Sequence, residues 1–153
     1  MYQDFRDLLS VLNAHGVEYI VVGAHALAAH GLVRATKDLD VWVRPERRNA
    51  ERMLAALKEF GVPLHGLTEA DLVAPDTIFQ IGVPPLRIDI LTAIGGVEFG
   101  DAWADRVQTR FGGEPAAILS REDLIRNKRT VGRPRDRLDV KWLERHRDRQ
   151  KKT

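Results

Sequence analysis

An α+β fold, a mixed β-sheet with helices packed on it, is what the sequence predicts, and three observations predict it. Short aliphatic, β-branched runs recur at residues 18–22, 38–43, 77–83 and 86–91. Segments of helical period stand between and after them, and glycine or proline closes most of the junctions. The resulting order, α-β-α-β-α-β-β followed by helices, gives a mixed sheet rather than a bundle or a sandwich.

The elements follow in turn. Phe5, Leu8, Leu9 and Leu12 repeat at helical spacing and predict a helix over 3–15, stopped by Gly16. Residues 18–22 read as a buried strand bounded by Gly16 and Gly23, and the alanine-rich stretch 24–30 as a short helix that begins directly after Gly23 and ends at Gly31. Asp38-Leu-Asp-Val-Trp-Val43 alternates, so Asp38, Asp40 and Trp42 share one side of a strand and Leu39, Val41 and Val43 the other. Ala50, Met53, Leu54 and Leu57 mark a helix over 46–60, closed by Gly61, and a loop with Pro63, Gly66 and Pro75 follows.

Residues 77–83 and 86–91 flank Pro84-Pro85 and read as an antiparallel pair, with Asp89 between Ile88 and Ile90. Two short segments near Trp103 and Val107 precede a Gly112-Gly113 turn. Ser120 with Asp123 caps a helix over 121–129, and after Gly132 and Pro134 a last helix covers 136–147.

A chain of 153 residues, 44% hydrophobic and 30% charged, is long enough for one real core and predicts a single domain over 1–153. Within it, 120–147 forms a helical segment packed on the rest and 148–153 a basic tail. Cysteine is absent, which excludes a disulfide framework and a thiolate metal site and leaves oxygen or imidazole donors. No apolar stretch approaches the roughly 20 residues that span a bilayer, and Met1 to Arg6 has no basic-then-apolar pattern, so a cytoplasmic protein with no membrane partner is expected. Residues 1–120 are net acidic and 121–153 net basic, an asymmetry that hints at an anionic partner or substrate.

The chemistry lies in the aspartates. Asp is disfavoured in strands, and Asp38 and Asp40 on one face put like charges about 7 Å apart at the Cα level. A cation relieves that repulsion. Asp89 sits inside an aliphatic strand, and an adjacent strand would bring it beside the pair. Three converging carboxylates suit one or two Mg²⁺ ions, which take few protein carboxylates together with phosphate oxygens and clamp an in-line displacement at phosphorus. Gly23-Ala24 at a helix start offers backbone N–H groups to a phosphate. His25 and His30, on the short helix, fit packing or capping better than ligation.

These residues fall in stretches that resemble a known family. Val21-Val-Gly-Ala-His-Ala-Leu-Ala-Ala-His-Gly31, Arg34-Ala-Thr-Lys-Asp-Leu-Asp40 and Arg87-Ile-Asp-Ile-Leu91 resemble the polymerase-beta-like nucleotidyltransferase superfamily, in its small prokaryotic branch of minimal and abortive-infection toxin-type nucleotidyltransferases. Leu124-Ile-Arg-Asn-Lys128 and Gly132-Arg-Pro-Arg-Asp-Arg-Leu-Asp-Val140 extend the likeness to about residues 5–143. The resemblance implies that Asp38 and Asp40 hold the metal ions and that Asp89 completes the site, orienting or deprotonating the attacking hydroxyl. Gly23 and Ala24 would line the triphosphate, Arg34 and Thr36 would sit beside it, and Lys128 would offer positive charge from the C-terminal helix. Ala24 stands where such proteins carry serine or glycine, so a side-chain hydroxyl to phosphate is missing here.

The expected function is Mg²⁺-dependent transfer of a nucleoside monophosphate from an NTP, such as ATP, to a hydroxyl. The acceptor is a protein side chain, an RNA 3′ end or a small molecule, and the resemblance adds a toxin–antitoxin setting with its partner. The basic end from Arg145 to Thr153 reads either as a solvated terminus or as an RNA contact. The rival reading is a module on the same fold that binds nucleotide or a partner without turnover.

Overall fold

A computed structural model describes residues 1–82 and 86–147 of the chain. The Pro84-Pro85 turn and the basic tail 148–153 expected from the sequence lie outside the described residues.

The first half follows the predicted order. Helix α1 (Gln3–Ala14) buries Phe5, Leu8, Leu9 and Leu12 along one stripe. Strand β1 (Tyr19–Val22) is buried throughout and passes directly into helix α2 (Gly23–Ala29). Strand β2 (Asp38–Val43) is followed by helix α3 (Arg47–Phe60), which ends on Gly61 in the left-handed conformation. Where the sequence predicts only a loop, Glu69–Val73 forms a short helix, α4. Thr68 Oγ1 accepts from the Asp71 amide at 3.2 Å while the Asp71 carboxylate accepts from the Thr68 amide at 2.9 Å, a capping box that fixes the first turn and buries Leu72.

Strands β3 (Ile78–Ile81) and β4 (Arg87–Leu91) form the expected antiparallel pair. The segment near Trp103 is helix α5 (Phe99–Asp105), and the one near Val107 is strand β5 (Val107–Phe111). Strand β6 (Glu114–Ile118) has no sequence forecast, because a proline and two alanines carry little strand propensity. Its place comes from tertiary pairing: it lies parallel to β1, with the Leu119 amide donating to the Val21 carbonyl at 3.1 Å, and antiparallel to β5.

Among the described residues, six strands form one mixed sheet in the order β3-β4-β2-β1-β6-β5. β2 pairs antiparallel with β1 and parallel with β4. Alternation along β2 divides the two faces: Leu39 and Val41 are fully buried on one, each worth about 1.5–3 kcal/mol of burial, while Asp38 and Asp40 lie on the other. Phe5 and Phe60 meet Ile81 and Ile88 around a common cavity, so α1 and the end of α3 cover the Leu39 side. On the aspartate side, Trp42 packs edge-on to Phe99 of α5, ring centroids 5.0 Å apart. Among the described residues no helix is long and apolar enough to cross a membrane.

Two packed helices close the chain. Helix α6 (Arg121–Val131) starts on the Ser120 cap and ends on Gly132, and helix α7 (Pro134–Arg145) starts two residues earlier than predicted because Pro134, with its fixed φ, takes the first helical position. A charged cluster binds them to the loop before β2. Lys128 Nζ lies 3.1 Å from Asp136 and 2.9 Å from Asp139, both buried aspartates of α7. Arg133 pairs with Asp136 at 2.7 Å, and Arg34 forks onto both oxygens of Asp139. The hydrogen bond from Arg133, with help from Lys128 against the opposing effect of burial, holds Asp136 down at about 2. Burial alone would raise Asp139; the hydrogen bonds from Arg34 and Lys128 outweigh it and lower it.

Lys128→Ala removes the cation shared by two buried carboxylates that keep Arg133 and Arg34, and a loss of about 1.5–3 kcal/mol in unfolding free energy is expected by urea titration at neutral pH. Because the two aspartates are depressed in the folded state, their contribution is complete above the unfolded carboxylate range and disappears as pH falls through about 2, so wild type and variant converge in acid.

Candidate active site

Strand register builds the site. In the parallel pairing of β2 with β4, Asp40 stands beside Asp89 and Asp38 beside Arg87. In the antiparallel pairing with β1, Val22 stands beside Asp40, so the chain turns into α2 at Gly23 directly against that carboxylate. Gly23 has φ +68°, and a Cβ there would overlap the Asp40 carboxylate. Glycine alone satisfies both the turn and the contact.

The carboxylates repel one another in a partly desolvated place. Burial, followed by the charges of Asp89 and Asp38, pushes Asp40 up to about 6. Burial raises Asp89 as well, with Arg87 pulling the other way. Gln80, in register with Asp89 on β3, also opposes the rise through a hydrogen bond. One oxygen of Asp89, Oδ1, is buried and makes no hydrogen bond. A carboxylate with a desolvated, unsatisfied oxygen beside a second carboxylate is a donor set suited to a hard divalent cation. Among the described residues no three acidic or histidine side chains stand as a ready-made metal cage. A guanidinium stands among them: Arg87 Nε is 3.3 Å from Asp89 Oδ1 and Nη2 is 3.6 Å from Asp38 Oδ2.

A cavity of about 720 Å³ opens beside Asp38 and Asp40, lined also by Gly23, Ala24, Arg34, Thr36 and Lys128. Seven residues named from the sequence thus share one cleft; Asp89 does not line it and joins through Asp40. Three of them, Thr36, Arg34 and Lys128, also have structural partners. The Thr36 hydroxyl bonds both the amide and the carbonyl of Asp38 at 3.2 Å and so shapes the start of β2. Arg34 and Lys128 border the cleft with their charge already engaged by Asp136 and Asp139. Arg133, likewise paired with Asp136, lines it too, and Lys37 and Arg135 add further positive charge to its wall.

His25 lies edge-on between Phe5 and Phe111, at 5.7 and 6.0 Å, and burial lowers its pKa. His30 Nε2 donates to the Leu119 carbonyl at 2.8 Å, and burial lowers its pKa too. Both are packing residues. Sequence reasoning missed Arg87, Gln80, Asp136 and Asp139. Arg87 carried a signal, since it stands two residues before Asp89 and a strand puts both on one face.

No protein-family profile and no curated protein matches the chain by sequence. Solved structures match its fold. The lincosamide antibiotic adenylyltransferase LnuA, in its lincomycin-bound structure, aligns over 94% of this chain and 96% of its own with a TM-score of 0.57 at 13% identity. A Thermotoga maritima protein provisionally classed as a nucleotidyltransferase aligns over 96% and 88% with a TM-score of 0.56 at 16% identity. The antibiotic-resistance factor ANT(2'')-Ia aligns over 92% and 80% with a TM-score of 0.54 at 15% identity. The chain has the nucleotidyltransferase fold.

A carboxyl raised in the folded state takes up its proton earlier there, so the wild-type protein gains stability as pH falls through about 6. Asp40→Asn removes the strained charge. The metal-free variant is expected to be more stable than wild type by about 1–2 kcal/mol near pH 8, with the difference gone at about pH 4, as read by urea unfolding at both.

Proposed function

We propose that the chain transfers a nucleoside monophosphate from an NTP to a hydroxyl on a small molecule. The observation that carries this reading is the meeting of Asp40 and Asp89 across β2 and β4, with Asp38 two residues along and the Gly23 turn against them. Asp38, Asp40 and Asp89 are the residues that would hold one or two Mg²⁺ ions, which supply charge neutralisation for the triphosphate when bound. The acceptor oxygen attacks the α-phosphorus, the bond to pyrophosphate breaks, and the acceptor proton passes to Asp89. The Gly23-Ala24 backbone and the cationic wall with Lys37 and Arg135 suit the phosphates.

One likeness favours a small acceptor over RNA or a protein. LnuA, one of the structures that share the fold, is named for an antibiotic and holds lincomycin.

Incubation with α-labelled NTPs, Mg²⁺ and a cell extract should yield a labelled small molecule. Asp89→Asn should reduce the yield about 10²–10⁴-fold and Asp40→Asn at least as much. Label on protein or RNA would refute the small acceptor and point to the toxin-type setting; Mg²⁺–NTP binding with no label under any NTP would make the chain a binding module.

A further inference from the structure

We propose that Arg87 is the resident counter-ion of the carboxylate site and that a divalent cation enters by displacing its guanidinium; the inference rests on the metal-binding role proposed above for Asp38 and Asp89.

Three features carry it. The first is register: Arg87 and Asp89 are two residues apart on β4, hence on one face, and β2 places Asp38 directly beside Arg87. The guanidinium therefore lies between two of the three carboxylates as a consequence of strand pairing, not of a loop conformation. The second is the quality of the contacts. Arg87 Nε and Asp89 Oδ1 are 3.3 Å apart, yet both atoms are buried and neither makes a hydrogen bond, and the second contact, to Asp38 Oδ2, is 3.6 Å. An arginine placed to lock a carboxylate forks onto it with two short, aligned hydrogen bonds, as Arg34 does on Asp139. Arg87 supplies charge without that geometry.

The third feature is freedom to leave. The Arg87 side chain is 37% exposed at the start of its strand, so a rotation about its side-chain bonds takes the guanidinium into solvent with the backbone unchanged. One guanidinium facing three carboxylates also leaves the cluster undercompensated. A divalent cation held by Asp38 and Asp89 would compete with the guanidinium for the same carboxylates, and it carries twice the charge on a smaller radius. The exchange weakens binding of a bare divalent cation, whereas a cation arriving on a triphosphate brings extra ligands with it, so Arg87 ties loading of the site to the nucleotide.

The test is Mn²⁺ binding to the full chain, without nucleotide, by isothermal titration and by the electron paramagnetic resonance signal of free Mn²⁺. Arg87→Gln should bind about tenfold more tightly than wild type, a difference of about 1.4 kcal/mol. Arg87→Lys, a point charge that cannot bridge both carboxylates, should fall between. Asp89→Asn should abolish the tight component. Equal or weaker binding by Arg87→Gln, with Asp89→Asn still abolishing binding, overturns the displacement while the proposed function stands. Mn²⁺ binding by none of the proteins removes both. Superposable amide NMR spectra of the metal-free proteins establish that the variants are folded.

Discussion

Asp40 and Asp89 are neighbours because β2 and β4 pair in parallel in one particular register, and nearly everything distinctive about the molecule depends on that pairing. Side chains alternate along a strand, so a slip of one residue would turn Asp89 to the apolar face and bring Ile88 or Ile90 to the aspartates. The apolar side resists such a slip: Leu39, Val41 and Ile90 are fully buried and Ile88 almost so. The carboxylates are therefore held together by hydrophobic burial on the opposite face of the same strands. Electrostatics would separate them; packing keeps them side by side.

Among the described residues, two acid clusters are balanced in opposite ways. Around Asp136 and Asp139, three cations meet two carboxylates with short hydrogen bonds, and both aspartates are held below their ordinary range. That cluster fastens the C-terminal helices to the loop before β2 and is structural. Around Asp40, one loosely placed guanidinium faces three carboxylates, and the aspartate is pushed up to about 6. The first arrangement stabilises the fold, and the second costs it stability. The second cluster is the one on which the proposed cation site rests.

The fastening also gives Arg34 and Lys128 their meaning. Both border the cleft, yet their charges are directed inward to α7, so they hold the wall of the cleft in place. Lys37 and Arg135, on the same wall, are the cations that sequence reading passed over. Neither stands in a pattern that separates it from the many other basic residues of the chain.

The sequence by itself determined the local periods: the stripe of Phe5, Leu8, Leu9 and Leu12, the alternation of Asp38 to Val43 that sets two aspartates on one face, and Gly23 as a bend. Each is written in consecutive residues, and backbone geometry converts such spacing directly into a face or a turn. Tertiary structure alone decided the rest. It placed β6, whose proline and alanines have no strand character of their own, beside β1, and it brought Lys128 to Asp136 and Asp139 and Arg87 between Asp38 and Asp89. Those partners are chosen by strand order and helix packing, and such long-range pairings are fixed only when the whole core closes, since no short window of sequence contains both members.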